Sequence, residues 1–380
     1  MANTVTWEAL RELAGFRADN GCAVSLYLNL DPSVAPTAPG AQTRINSLLA
    51  KGERVLDSSR GSLTHDQRTG LKADLARIAR WFDDEFDRDG AHGAAVFVAG
   101  LDNLWQELEV TAPVPDELRV GGELYLAPLV PLVGRGDGAL VAVVGREQGQ
   151  VYRLRVGRLE SLADETEEQP GRHDQGGWSQ ANYQRHIDNL VAEHLRRVAD
   201  RLDELVRRHR GSGLVIVCSE EMRSDFADLL SHEVKSALAG WAAAEAHATP
   251  ADLLAVARPV LEEWSAKREG ETLERWREEA GRNGRATAGW AATLEAASDG
   301  RVDLLLVQEG TDRDAFKCPA CGRAQMTDGT CPLDGTTMER SEAGLDLAVH
   351  QTLAHGGAIC VVRARRDLDP VEGIGALLRY

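Results

Sequence analysis

The sequence predicts a mixed α/β (α+β) protein in three domains, and three observations carry that prediction. Short apolar runs alternate along the whole chain with stretches whose apolar residues recur at helical spacing. A length of 380 residues suffices for two or three domains, each with its own core. Two breaks interrupt the alternation: the Gly-rich stretch 134–138, read as a linker, and the helix start Thr249-Pro250-Ala251-Asp252, with Thr as cap and Pro in the first turn. The expected domains are 1–135, 136–248 and 249–380.

In the first of these, CAVSLYLNL (22–30) alternates like a half-buried strand and stops at Asp31-Pro32. Ile45, Leu48, Leu49 and Val55 share one face of a helix, and Leu71, Leu75, Ile78 and Trp81 one face of another over 66–86. AAVFV (94–98) is a short strand, after which Pro113, Pro115, Pro128 and Pro131 punctuate the chain. In the second domain ALVAVV (139–144) and VYRLRV (151–156) form a hairpin through the REQGQ turn. The polar stretch 164–177 has almost nothing to bury. Tyr183, Ile187, Leu190, Val191, Leu195, Val198, Leu202 and Leu205 then make one seam, so a long helix runs from Gln180 to His209. LVIVC (214–218), apolar on both faces, is a central strand. The third domain holds a helix ending near Arg282, a helix over 287–297, the strand VDLLLVQ (302–308), a cysteine insertion, a helix over 345–353 and the strand AICVV (358–362).

The formal charge is −17 and no domain is basic overall, which excludes nonspecific nucleic-acid binding through a general basic face. Any RNA contact must come from a local patch, and no DNA partner is expected. No run of 18 apolar residues exists and the first 25 residues lack a signal-peptide pattern, so the expectation is a soluble cytoplasmic protein with no membrane partner. Of six cysteines, Cys22, Cys218 and Cys360 lie in apolar runs and read as buried small hydrophobes. Cys318, Cys321 and Cys331 cluster.

The stretch QGGWSQANYQRH (175–186) places two glycines and a tryptophan immediately before the long helix. Together with two further landmarks it resembles the class-1 release factor and Pelota superfamily of archaea and eukaryotes. Gly176-Gly177-Trp178-Ser179, followed by a helix carrying Tyr183, Arg185, Arg196 and Arg197, is similar to that family's Gly-Gly-Gln loop with its Ser and long basic helix. LVIVC follows at the spacing of the family's central domain, and the C-terminal GIGALLRY (373–380) looks like the Gly-Ile-Gly-Gly-Ile-Leu-Arg-Tyr segment near the end of those factors. Through SLYLNLDPS and TRINSLL the chain is most similar to bacterial members, the Balon-like ribosome hibernation factors and their actinobacterial relatives.

The resemblance implies a release-factor-like architecture: an N-terminal domain facing the decoding centre, a central mixed-sheet domain facing the peptidyl-transferase centre, and a C-terminal L7Ae-like domain with a zinc-knuckle insertion. It implies the ribosome as partner, through A-site ribosomal RNA, with tRNA and elongation factor Tu or another translational GTPase as further candidates. Where the family places its catalytic Gln, this chain has Trp178, whose indole offers one donor, no acceptor and a larger volume. The flank carries Asp164, Glu165, Glu167, Glu168 and Asp174 against Arg172 and His173, whereas release-factor loops are preceded by basic residues. Arg172, His173, Gly176, Gly177, Trp178, Ser179, Gln180 and Arg185 are therefore the candidate ribosome-contacting residues, with Trp178 stacking on an exposed base. At the place of the family's codon-reading Asn-Ile-Lys-Ser loop stands Gly40-Ala41-Gln42-Thr43, without a lysine.

No catalytic residue is assigned. Ser179, His186 and Asp188 supply triad types, but seven positions along one helix separate Ser from His, roughly 10 Å of rise. His194 and His209 are expected on the surface of the helix. GRGDG (134–138) precedes a strand, where a phosphate loop would follow one.

KCPACGRAQMTDGTCPLDG (317–335) carries one CPxCG knuckle and a second, CPLDG, in which Asp334 stands for the expected cysteine. Cys318, Cys321, Cys331 and Asp334 are the candidate ligands of a structural zinc, with His350 and His355 as alternative fourth ligands. The function expected is a ribosome-binding translation factor that occupies the A site of idle ribosomes without releasing peptide. The alternatives are a peptidyl-tRNA hydrolase that rescues stalled ribosomes, and an L7Ae-like interaction protein acting away from the A site.

Overall fold

The computed structural model describes residues 3–380 except 6, 36, 60–62, 87–91, 111, 134–137, 156, 167–178, 210, 246 and 283, with the backbone alone at 3, 4, 109 and 179–184. The chain is a mixed α/β protein with several sheets. Its contacts group into two compact units, Met1–Arg135 with Glu269–Tyr380, and Gly136–Arg268.

The first unit begins with β1 (Asn3–Thr4), α1 (Trp7–Ala14), β2 (Ala23–Asn29), α2 (Ala38–Ser58), α3 (His65–Asp84), β3 (Gly93–Ala99), β4 (Leu104–Val110) and β5 (Glu117–Gly121). These strands form one sheet in the order β1-β4-β3-β2-β5. The alternation of CAVSLYLNL predicts a half-buried strand, yet β2 is buried along nearly its whole length. Both its faces are covered: Val24, Leu26 and Leu28 lie with Ile45, Leu48, Leu75 and Ile78 of α2 and α3. Ala23 and Tyr27 belong to the opposite core. Its one polar inward residue, Ser25, is satisfied because its hydroxyl accepts the Tyr125 amide at 2.9 Å. The helix α2 starts at Ala38, capped by Thr37, so Gly40-Ala41-Gln42-Thr43 are its first turns and not a loop.

The second unit holds β6 (Leu140–Val144), β7 (Gly149–Arg155), β8 (Arg158–Asp164), α4 (Ser179–Arg208), β9 (Leu214–Val217), α5 (Glu220–Leu229), α6 (His232–Ala237) and β10 (Leu238–Ala242). The order β10-β9-β6-β7-β8 makes a mixed sheet: β6 and β7 form the predicted antiparallel hairpin, while β6, β9 and β10 run parallel. A parallel neighbour cannot be reached by a tight turn, and α4 is the crossover that delivers β9 beside β6. Leu195, Val198, Leu202 and Leu205 of α4 join Leu140, Ala142, Leu214 and Ile216 on one face. Leu253, Leu254, Ala257 and Leu261 join Val141, Val215 and Val217 on the other.

Those last four side chains come from α7 (Pro250–Gly281), whose start is fixed by reciprocal bonds between Thr249 and Asp252. Its later residues Leu273 and Trp276 pack with Leu306, Val362, Leu368 and Leu377. The two units meet within this helix at 268/269, whereas sequence punctuation sets a boundary at its start.

The chain then forms β11 (Ala286–Ala288), α8 (Trp290–Ser298), β12 (Val302–Gln308), β13 (Ala315–Lys317), β14 (Ala324–Gln325), β15 (Glu339–Ser341), α9 (Gly344–Ala354), β16 (Ala358–Val362) and β17 (Ile374–Leu378). The segment 287–297, read as one helix, splits at Gly289: φ of +81° there suits glycine and separates strand from helix. One sheet has the order β11-β17-β12-β16, and a small one the order β14-β13-β15.

Within the first unit the segment 123–127 is tied to α9. The Asp346 carboxylate accepts the amides of Leu126 at 2.6 Å and Ala127 at 3.0 Å, and His350, one turn on, lies 2.7 Å from the Leu124 carbonyl through Nε2. Lys317 Nζ is 2.5 Å from Glu123. Burial pushes the Asp346 carboxyl up, against the pull of His350 and the two amides. The apolar residues of this region form one core that runs from Val5 through Tyr27 and Leu126 to Leu345 and Ala376. Replacing Asp346 by Ala leaves two buried amides unpaired and is expected to cost roughly 2–4 kcal/mol. Asp346→Asn, which keeps one acceptor, should cost less. Urea unfolding followed by tryptophan fluorescence measures this, and an Asp346→Ala midpoint equal to wild type contradicts it.

Candidate functional site

Two places gather the residues singled out by sequence. The first is the start of α4. Arg172, His173, Gly176, Gly177 and Trp178 lie outside the described residues, while Ser179 and Gln180 open α4. Arg185 follows on the helix and is exposed. Among the described side chains the predicted seam is unequal: Ile187, Leu190 and Val191 are half-buried, and His194 and Leu195 are the first fully buried ones. The helix is 30 residues long, and the described packing lies in its second half.

His194 corrects the sequence reading. It is fully buried, with Nε2 3.1 Å from the Gln148 carbonyl in the β6–β7 turn. Gly149 beside it has no room for a side chain, since a Cβ there would stand 2.7 Å from Val198 Cγ2 and 3.2 Å from His194 Cε1. This contact pins α4 to the hairpin, and only its placement amid i, i+4 apolar neighbours hinted at it. His209 is half-buried, and burial, with Arg153 and Arg208, pushes its imidazole down. The basic character of the helix is muted by its own acids: Arg197 pairs with Glu193 at 3.5 Å, Arg201 with Glu204 at 2.6 Å and Arg207 with Asp203 at 2.8 Å. His186 and Asp188 are both exposed on this helix, which gives no buried dyad. Cys218 and Cys360 are half-buried, less enclosed than their apolar runs suggest.

The second place is the cysteine insertion between β13 and β15. The candidate ligand atoms of Cys318, Cys321, Cys331 and Asp334 all lie within 4.8 Å of one another. Two equivalent knuckles build the site. In the first, the Gly322 amide donates to the Cys318 carbonyl at 2.9 Å and the Cys318 amide to Arg323 at 2.8 Å; in the second, Gly335 donates to Cys331 at 2.9 Å and Cys331 to Thr336 at 2.8 Å. Both glycines have positive φ, +79° and +74°, which turns each chain back so that amides face the donors. Asp334 thus takes the place in its knuckle that Cys321 takes in the first, and its carboxylate accepts the Thr336 amide at 2.9 Å.

The Cys321 and Cys331 sulfurs are 3.5 Å apart, and Cys318 Sγ lies 3.4 Å from Asp334 Oδ2. The Thr336 amide and hydroxyl hold the Asp334 carboxyl well below the usual carboxylate range. The Arg323 amide draws the Cys321 thiol down, but burial and its neighbours Cys318, Cys331 and Asp334 together push it up to about 12. Three thiols and a carboxylate this close repel one another once ionised, and a cation among them removes that cost, so the donor set fits a metal ion. The alternative ligands are engaged elsewhere: His350 at Leu124, and His355 through Nδ1 at the Gln351 carbonyl, 2.8 Å away.

The model of the bacterial archaeo-eukaryotic release factor family 10 matches residues 125–262. Peptide chain release factor subunit 1 of Archaeoglobus fulgidus is 23% identical over 330 residues, covering 83% of this chain and 78% of that protein. Over these stretches the chain is similar to the archaeo-eukaryotic release factors. The corresponding factor of Thermococcus onnurineus is 26% identical over 254 residues, 62% of this chain and 61% of its own length. Among solved structures, the archaeal termination factor aRF1 aligns over 99% of both chains at 16% identity and a TM-score of 0.27. Archaeal Pelota, in a ribosome-bound structure with ABCE1, aligns over 100% of this chain and 95% of its own at 13% identity and a TM-score of 0.44. The matched range 125–262 includes Gly176, Gly177 and Trp178, which precede α4 in the sequence.

Proposed function

We propose that this chain is a cytoplasmic, ribosome-binding translation factor that occupies the A site of idle ribosomes without releasing peptide. The single observation that carries the reading is Trp178 in place of the water-positioning Gln, after two retained glycines and ahead of a helix pinned to the central sheet. A nucleophilic water needs an acceptor and space beside the ester, and an indole supplies neither. What an indole does supply is a stacking face for an unpaired base. The absence of lysine in Gly40-Ala41-Gln42-Thr43, and the helical start of α2 there, support the same reading at the messenger end.

In this proposal the order of three segments, 1–135, 136–248 and 249–380, is that of an N-terminal decoding-side part, a central part and an L7Ae-like C-terminal part. The partners are A-site ribosomal RNA and tRNA, with elongation factor Tu or another translational GTPase meeting the C-terminal part. Cosedimentation with vacant ribosomes at physiological salt tests it. The wild-type chain is expected in the ribosome pellet, and Trp178→Ala should weaken binding by roughly 1–3 kcal/mol. A wild-type chain that stays in the supernatant defeats the proposal.

For the cysteine insertion we assign a structural zinc held by Cys318, Cys321, Cys331 and Asp334. A zinc tetrahedron with bonds of about 2.3 Å has sulfur–sulfur edges of roughly 3.8 Å, close to the 3.5 Å separation of Cys321 and Cys331. The purified chain should carry one equivalent of zinc by mass spectrometry under native conditions. Asp334→Ala should lower the affinity by about tenfold or more, and a wild-type chain that retains no metal after zinc reconstitution removes the assignment.

A further inference from the structure

The second unit carries a cavity of about 480 Å³ that no part of the functional reading uses. It opens where α4 ends and the chain turns into β9, between α6 and α7, and its lining includes Arg207, Ser212, His232, Ser236, Trp264 and Arg268. Trp264 and Arg268 lie four residues apart on α7, so they share one face of that helix, and the Arg268 guanidinium carbon sits 4.7 Å from the Trp264 ring centroid. The indole is seated by an absence: a Cβ at Gly213 would meet its six-membered ring at 3.0 to 3.3 Å, so glycine at the entry to β9 leaves space for the ring. Arg207 is held at the rim by its 2.8 Å bond to Asp203. One acid, Glu233, also lines the cavity and is exposed.

We propose that this cavity binds a nucleotide unit, its base stacking against the Trp264–Arg268 pair and its phosphate meeting Arg207, Arg268 and His232. The chemistry follows from the lining. An arginine fixed on an indole presents a flat guanidinium face on which a base can stack and N–H groups that a phosphate can accept from. Ser212 and Ser236 add hydroxyls suited to a ribose or a phosphate oxygen. In a chain of net charge −17, two guanidinium groups and an imidazole gather around one aromatic wall, with Glu233 in the lining and Asp203 on Arg207 as the nearby acids. The unit is offered either by single-stranded RNA or by a free nucleotide. The inference stands beside the reading of Trp178 and does not rest on it.

The full chain is titrated into a fluorescein-labelled ten-nucleotide RNA carrying 4-thiouridine, with anisotropy read at 50 and 200 mM KCl and with AMP as competitor. Arg268→Glu should weaken binding at least tenfold. Arg268→Lys, which keeps the charge and loses the plane, should fall between it and wild type. Arg207→Glu, at an exposed rim position that does not support the core, should weaken binding and flatten the salt dependence. Ultraviolet crosslinking should mark the peptides holding 207–213 or 264–268. A tenfold advantage of the oligonucleotide over AMP assigns the site to RNA, and equal competition assigns it to a free nucleotide. Absence of binding to both, or unchanged affinity in both glutamate variants, overturns the inference. Because no ribosome is present, that failure leaves the cosedimentation result of the proposed function untouched.

Discussion

Parallel pairing of β6 with β9 is the constraint from which the second unit follows. Strands that run the same way cannot be joined by a hairpin, so the chain leaves β8, returns along α4 and enters β9. The crossover is far longer than the strands it serves. Its second half finds the apolar partners Leu140, Ala142, Leu214 and Ile216, while the described part of its first half offers half-buried Ile187, Leu190 and Val191. The position of α4 is fixed by its second half, through Leu195 to Leu205 and through His194 at the Gln148 carbonyl.

The first unit solves a different problem, because its two parts are separated in sequence by the whole second unit. Tyr27 and Phe97 share a core with Trp290, Leu305 and Ala376, and the polar ties at Asp346 and His350 fix how residues 124–127 lie on α9. Such ties are specific because they are buried: an Asp with two amide donors tolerates little sliding, whereas apolar packing alone tolerates some.

How much is legible in the sequence depends on which neighbours each element has. VDLLLVQ and AICVV lie in the predicted places because continuous apolar runs need no knowledge of partners. LWQELEV and RLESLAD do not stand out as strands in the sequence. Both carry charges on a half-covered surface, β8 as an edge strand exposed along much of its length, so their pattern is too weak to read. The covering of β2 from both sides and the burial of His194 are set by residues on other elements, beyond the reach of local periodicity. The clustering of Cys318, Cys321, Cys331 and Asp334 is legible because these residues and the knuckle glycines are close in sequence, and the equivalence of Asp334 to Cys321 rests on bonds within five residues. The Trp264–Arg268 pair gives no such signal, since its meaning depends on Gly213 from another element.

Occupancy without hydrolysis is the central claim, and the most direct measurement is peptide release by the wild-type chain on ribosomes loaded with peptidyl-tRNA and an empty A site. Binding with no release above the rate without factor is the predicted result. Release that depends on the chain and disappears when Gly177 is changed would contradict it, and would make the loop before α4 a hydrolytic device despite its indole.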